Sequence, residues 1–141
     1  MKKTVGIGLI CIVMMGAGLF YIKFNYFYNP LSFEKDSVTP HNWSAYERPI
    51  TIKLYTTEDK REIKTIQSED EIREVIDELK SSPPEEEASD VSDVTGGLTL
   101  TTENRTLLEV LFYTDHWRVL KNEGPAFQIT DSLKRAVNEL W

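Results

Sequence analysis

The most prominent hydrophobic feature of the chain is an uncharged run near its start, which extends from Thr4 to Ile22. Most of its residues are Val, Ile, Leu, Met or Phe, and it contains no Pro. As an α-helix rising about 1.5 Å per residue, the run would reach about 28 Å, close to the hydrocarbon thickness of a bilayer. A helix also satisfies its own backbone polar groups where water is absent. The run therefore predicts a single transmembrane helix, with the lipid bilayer as the partner of residues 4–22.

Charged and aromatic residues flank this run on both sides. Lys2 and Lys3 precede it, which favours an N-terminus in the cytoplasm. Lys23 and a cluster of Phe and Tyr rings between positions 20 and 28 follow it, and such rings suit the membrane–water interface. We therefore predict an uncleaved signal anchor over residues 1–28 in the cell membrane, with the rest of the chain extracytoplasmic.

Other interpretations of the N-terminal segment stay open. A secretory signal peptide cut after Gly18 would leave a secreted domain, although the apolar run continues beyond that point. A buried core helix is disfavoured by the charged flanks. Lipidation at Cys11 needs a small residue directly before the cysteine, where this chain has Ile10. Cys11 is therefore expected to be an ordinary apolar residue of the span.

The next segment, residues 29–48, shows neither a helical nor a strand period. Pro30 and Pro40 interrupt it, and Ser, Asp and Asn fill much of it, which is typical of a loop. We predict a tether here, in which Trp43 and Tyr46 pack on the domain or lie near the membrane. The remaining residues, 49–141, suffice for one small domain.

Alternation and helical spacing predict two strands and a helix at the start of this domain. Ile50–Tyr55 alternates apolar and polar residues, and Glu62–Ile66 is expected to return beside it. Ser68 and Glu71 form a capping box at a helix N-terminus. The stripe that follows at helical spacing consists of Ile72, Val75, Ile76 and Leu79.

A polar, acidic segment, residues 83–97, begins with two prolines that end this helix. Positions 85–93 hold its acidic residues, which are Glu85, Glu86, Glu87, Asp90 and Asp93. Calcium is the specific interpretation of such a segment, but residues 90–93 lack the ligand spacing and the closing Glu of a calcium loop. We therefore predict a solvated loop, and neither a metal nor a cofactor.

Strand patterns dominate from Leu98 onward. The expected strands are Leu98–Thr102, Thr106–Tyr113, His116–Lys121 and Ala126–Ile129. The second of these has apolar residues on both faces, which predicts a central strand covered on both sides. Thr130 or Asp131 caps a last helix, whose stripe consists of Leu133, Ala136, Val137 and Leu140. The predicted fold is α+β, with an antiparallel sheet and two helices on one face behind the N-terminal transmembrane helix.

Charge and cysteine content narrow the classes of partner. The chain has 16 Lys and Arg against 23 Asp and Glu. Because Lys2, Lys3 and Lys23 belong to the anchor, the remainder carries 16 − 3 = 13 basic residues and a net charge of 13 − 23 = −10. Such acidity argues against nucleic acid and against docking on an anionic lipid surface. With Cys11 as the sole cysteine, the domain has no disulfide and no Cys-based metal site.

Candidate catalytic residues are few. His41 lies in the predicted tether, and His116 follows Asp115 at a predicted turn, where an exposed ring is the ordinary interpretation. A hydrolase would need a hydroxyl that converges with Asp115 and His116, and it remains a minor alternative. Nucleophile-elbow, phosphate-loop, dinucleotide-binding and zinc-protease motifs are absent from the sequence. We assign no catalytic, cofactor-binding or metal residue and predict a protein that is not an enzyme.

Two further patterns have an ordinary and a specific interpretation. Tyr113, Trp117 and Phe127 would line a groove in the specific one, but aromatic residues in alternating strands are more typical of a core. Asn42 and Asn104 each begin an N-glycosylation acceptor pattern, which matters only where the source glycosylates such sites.

The layout as a whole resembles that of small single-pass extracytoplasmic proteins of Gram-positive bacilli. The resemblance rests on the Met-Lys-Lys start, the apolar run to Ile22, the short tether and the strand–helix pattern that ends in Leu133–Trp141. It implies a cell-envelope location, and it implies no activity and no site residue.

Our leading functional hypothesis is a binding domain for another envelope protein or peptide, which would add a strand to an exposed sheet edge. The alternative is an accessory subunit that pairs with a membrane complex through its transmembrane helix.

Overall fold

The computed structural model describes residues 2–57, 61–86, 92–120 and 125–141, which form one seven-stranded sheet and three α-helices. The predicted α+β class is confirmed. In chain order the elements are α1 (Lys2–Asn25), a 3₁₀ turn (Trp43–Ala45), β1 (Thr51–Thr56), β2 (Glu62–Ile66), α2 (Glu69–Ser81), β3 (Pro84–Glu85), β4 (Val94–Thr101), β5 (Thr106–Tyr113), β6 (His116–Val119), β7 (Ala126–Gln128) and α3 (Asp131–Asn138).

The strands pair antiparallel in the order β2-β1-β4-β5-β6-β7-β3. The central place predicted for Thr106–Tyr113 is confirmed, since β5 is fourth of the seven. The register of β1, β4 and β5 aligns their apolar residues in two rows across the sheet. One row consists of Ile52, Leu100 and Leu108, and the other consists of Leu54, Leu98 and Val110. All of these side chains are buried. They form the core-facing side of the sheet.

Helix α2 buries its apolar stripe against this side. Helix α3 buries Leu133 and Ala136, whereas Leu140 of the predicted stripe lies beyond the end of the helix. The caps hold as predicted: the amide of Glu71 donates to the Ser68 hydroxyl at 3.5 Å, and the amide of Leu133 donates to the Thr130 hydroxyl at 3.1 Å. The helices contact each other. One cluster contains the buried residues of α2 and Leu133 of α3 together with the core-facing side of the sheet.

The opposite side of the sheet is less covered than the sequence predicts. Leu111 and Tyr113, which point away from the helices on β5, are only half-buried. Leu107, the third apolar residue that the pattern places on this face, is 3% exposed. The predicted cover of this strand on both sides is therefore partial rather than complete.

The predicted loop over residues 83–97 is wrong at both of its ends. Pro84 and Glu85 form β3 beside β7, and β4 already begins at Val94. Glycine is depleted in strands because it has no side chain to pack. The pair Gly96 and Gly97 therefore predicted a loop where the structure has the first part of β4. The Tyr55 ring occupies the space into which a Cβ at Gly97 would project. The calcium interpretation concerns residues 90–93, of which 90 and 91 lie outside the described residues.

The segment predicted as a tether, residues 29–48, packs on the domain. Val38, Thr39, Ala45 and Tyr46 are all buried. The Tyr46 ring meets the ring of Tyr28 at 4.8 Å and that of Phe33 at 5.8 Å between centroids. Lys80 of α2 forms an ion pair of 3.1 Å with Asp36. Of the two places predicted for Tyr46, the domain is therefore the correct one.

Arg48 joins α1 to the domain. Its backbone amide donates to the carbonyl of Asn25 at 2.9 Å, and its guanidinium donates to the carbonyls of Lys23 and Tyr26. The same guanidinium pairs with Glu69 at the start of α2, with 2.8 Å between Nη2 and Oε2. A cation is favoured at a helix C-terminus, where the carbonyls lack intrahelical partners. The chain therefore passes from α1 into the domain through a hydrogen-bonded junction.

Acid is expected to weaken this junction. The hydrogen bond from Arg48 holds the pKa of Glu69 below its ordinary value, against a smaller opposing effect of burial. Because the folded-state pKa is lowered, the stabilisation is complete above the ordinary pKa of about 4.3 and is lost as pH falls through the folded-state value. Glu69→Gln should therefore flatten the acid-side decline of the free energy of unfolding, measured by urea denaturation at a series of pH values. Glu74→Gln, which removes a carboxylate from the exposed side of α2, is the matched control, and equal effects of the two variants would contradict the assignment.

Candidate functional site

An open, largely apolar groove of about 290 Å³ lies between the sheet and α3. It is bounded by the end of β1, the start of β4, the end of β5 and one side of α3. Its lining residues are Leu54, Tyr55, Thr56, Thr95, Gly96, Gly97, Phe112, Tyr113, Thr114, Ile129, Leu133, Lys134, Val137, Asn138 and Trp141. The groove thus draws on four elements that are distant in sequence.

The two glycines of β4 and the end of α3 shape this groove. Gly96 and Gly97 bring no side chain to its wall, and a Cβ at Gly96 would overlap the backbone carbonyl of Tyr55. After α3, Leu140 is buried while Trp141 stays 44% exposed at the edge of the groove. Trp141 therefore lines the groove and is also in contact with solvent.

The polar groups around the groove hold its walls in place. The hydroxyl of Thr57 donates to the carbonyl of Val94 at 2.6 Å, and that of Thr95 donates to the carbonyl of Phe112 at 3.3 Å. Lys134 and Asn138 supply the polar side chains on the helical wall. Pockets for drug-sized ligands span about 300–1,000 Å³, so the groove suits one or two apolar side chains of a peptide with polar contacts at its rim.

The edge strand of the sheet lies next to the groove. β2 ends the sheet, and Ile63 on this strand is 63% exposed. The Lys64 amine donates to the backbone carbonyl of Trp141 at 3.3 Å. This bond places the edge strand and one wall of the groove side by side, so a single extended segment can contact both.

The groove lies at the end of β1 opposite the hydrogen-bonded junction between Arg48 and α1. Arg48 precedes β1, whereas Tyr55 and Thr56 at its far end line the groove. At about 3.3 Å per residue, a strand of this length separates the two places by roughly 20 Å.

Of the three aromatic residues that the sequence offered for a groove, one lines it. Tyr113 is part of the groove wall. Trp117 and Phe127 are buried in the core, where their rings stack at 4.4 Å between centroids. The core interpretation is therefore confirmed for Trp117 and Phe127 and wrong for Tyr113.

The exposed ring predicted for His116 is wrong. The residue is 1% exposed, and its ring stacks on Tyr113 at 4.5 Å with 6° between the planes. Nδ1 lies 2.7 Å from a carboxylate oxygen of Asp115. Among the described residues, Nε2 has no hydrogen-bond partner. The stacked Tyr113 ring therefore covers one face of this buried imidazole.

The hydroxyl of Ser92 contacts this pair, since it donates to the same Asp115 oxygen at 2.8 Å. That bond, followed by the one from His116, lowers the pKa of the Asp115 carboxyl. A serine nucleophile needs a base that takes its proton, and in a triad this base is the histidine. Here the serine bonds to the aspartate instead, so the geometry lacks the nucleophile–base contact of a hydrolase. His41 remains in the segment before the 3₁₀ turn, and within the described ranges no group of His, Cys, Asp and Glu is placed to hold a metal.

Sequence reasoning missed the groove because its residues follow no common period. The sequence pattern places the Gly96–Gly97 pair in a loop, and no period relates it to Trp141. Comparisons of the chain with protein-family models, with curated proteins and with solved structures give no match. The geometry of the groove is therefore the basis for a functional proposal.

Proposed function

We propose that this chain is a single-pass membrane protein, with its N-terminus in the cytoplasm, whose extracytoplasmic domain binds an extended segment of another envelope protein or a peptide. The observation that carries the proposal is the apolar groove with the exposed edge strand beside it. One or two apolar side chains of the bound segment would enter the groove, and its backbone would pair with β2.

The N-terminal helix supports the membrane part of this proposal. The stretch Ile7–Asn25 is 19 residues long, is apolar enough to cross a membrane and has 0% of its length buried in the protein. A signal sequence has the same character. The hydrogen-bonded junction at Arg48 favours the anchor, because a helix destined for removal needs no cap from the mature domain.

The dimensions of the groove support a peptide partner. Burying an apolar side chain contributes about 1.5–3 kcal/mol, so one or two of them give modest affinity alone. Main-chain hydrogen bonds to an edge strand add affinity without demanding a particular sequence. Together they fit a partner that is recognised by an extended backbone and a few apolar side chains.

Protease accessibility of a C-terminal tag in intact cells tests the topology. We expect the tag to be removed from outside while the untreated chain migrates at its full length. A shorter chain in the medium would indicate a secreted domain, and a tag protected until lysis would contradict the orientation.

Site-specific photo-crosslinking in intact cells tests the groove. A photoreactive residue at position 134, on the helical wall, is expected to capture one discrete partner. The matched control is position 104, an exposed residue in the turn between β4 and β5, away from the groove. The proposal predicts that Trp141→Ala removes the adduct formed at 134. Equal capture at both positions, or at neither, would refute the groove as the binding site.

A further inference from the structure

Aromatic rings continue from the membrane helix into the domain without a break. The ring of Tyr21 on α1 lies 6.4 Å from that of Tyr26, which meets the indole of Trp43 edge-on at 4.9 Å and 70°. Trp43 belongs to the 3₁₀ turn of the domain and is only half-buried. Trp and Tyr side chains, which have an apolar ring and a polar group, are typical of the membrane–water interface.

The position of Trp43 relative to α1 is fixed by the junction. Besides the contacts of Arg48, the amide of Phe27 donates to the carbonyl of Tyr46 at 2.9 Å, and Tyr26 forms an antiparallel bridge with Glu47. Phe27 is 3% exposed beneath the Arg73 guanidinium, which lies 3.8 Å from the ring centroid. A helix that crosses the bilayer therefore sets the depth of Trp43 as well.

The expected depth follows from where the span ends. The apolar stretch closes at Asn25, and Tyr26 comes directly after it. Since Trp43 contacts Tyr26, its indole lies at the level where the hydrocarbon gives way to headgroups. Leu31, in the turn that follows Phe27, is 84% exposed and adds apolar surface close to the junction.

We infer that the Trp43–Tyr26 cluster is a second membrane contact, which seats the domain in the interfacial zone of the outer leaflet. The inference rests on the proposed anchor and deepens it by naming lipid as the partner of this surface. Continuity with the span favours lipid, and the net charge of −10 outside the anchor favours a zwitterionic rather than an anionic headgroup.

This contact would give the domain a defined orientation. With the Trp43 cluster held at the interface, the groove lies at the other end of β1, roughly 20 Å away along the strand. The bilayer would then leave the groove free for a partner.

Quenching of tryptophan fluorescence by brominated lipid tests the inference on the full chain. The protein is reconstituted into phosphatidylcholine vesicles whose acyl chains carry bromine near the headgroup, and flotation verifies insertion. We expect the brominated vesicles to quench part of the emission, and Trp43→Phe to lose most of that quenching. Trp141→Phe, which alters the groove end, should retain it.

The outcomes separate the inference from the proposed anchor. Protein that fails to float with the vesicles would overturn the anchor and the inference together. Protein that floats but shows the same quenching with and without Trp43 would overturn the inference alone. Quenching that disappears with Trp141→Phe instead would place the groove, rather than Trp43, at the membrane and would equally overturn it.

Discussion

A soluble fragment that begins at Ile50 is expected to remain unfolded, whereas a fragment that begins at Asn25 is expected to fold. The shorter fragment loses Ala45 and three larger side chains of the core cluster, Phe27, Val38 and Tyr46, which are 3%, 2% and 0% exposed. Deleting a buried aromatic side chain alone costs about 3–5 kcal/mol. Since a domain is stable by only about 5–15 kcal/mol in total, losing all three exceeds or exhausts that margin.

Circular dichroism and urea denaturation of the two fragments test this expectation. Tyr46→Ala in the longer fragment should lower the free energy of unfolding by about 3–5 kcal/mol. Leu31→Ala, in the same segment but 84% exposed, should change it by less than about 0.5 kcal/mol. A cooperative unfolding transition in the fragment that begins at Ile50 would contradict the packing described for residues 29–48.

This segment illustrates what a periodic pattern fails to reveal. The rings of Tyr28, Phe33 and Tyr46 pack on the domain from irregular backbone, so they share no repeat of 2 or 3.6 residues. Short polar loops separate them and are held by side chains such as Asp36, which accepts the amide of Val38 at 2.8 Å. Composition therefore predicted a tether where the structure has an irregular segment that packs on the domain.

Where an element has a periodic apolar face, the sequence alone predicts that element. The stripe of α2, the first part of the stripe of α3 and the caps at Ser68 and Thr130 are predicted correctly because each depends on residues within one or two turns. β5 is predicted with its observed bounds for the same reason. The groove cannot be predicted in this way, because its walls come from residues far apart in the sequence. Gly97 and Trp141 both line it, and they come together only after the sheet has formed.

His116 shows the same limit at a single residue. Its neighbour Asp115 predicted turn chemistry, and the carboxylate does bond to the ring as a local contact. The ring stacks on Tyr113, three residues earlier across the turn between β5 and β6, and it is 1% exposed in the folded domain. Local sequence therefore identified the partner of His116 and missed its environment.

Trp117→Ala is expected to lower the free energy of unfolding by about 3–5 kcal/mol, because the lost side chain leaves a cavity in the core. The indole is 0% exposed and lies at the centre of a cross-strand row, with Phe112 on one side and Phe127 on the other. Its stacking on Phe127, at 4.4 Å and 16°, adds about 0.5–1.5 kcal/mol beyond burial. Urea denaturation of the fragment that begins at Asn25 measures the loss.

Trp141→Ala is the matched control, because it removes the same side chain from a place that is 44% exposed. We expect it to lower the free energy of unfolding by less than about 1.5 kcal/mol while it removes the crosslink formed at position 134. Trp117→Phe, which keeps an aromatic ring beside Phe127, should recover part of the stability lost in Trp117→Ala. Equal losses at the two tryptophans would mean that the wall of the groove belongs to the core, and the groove would then be a packing feature rather than a place for a partner.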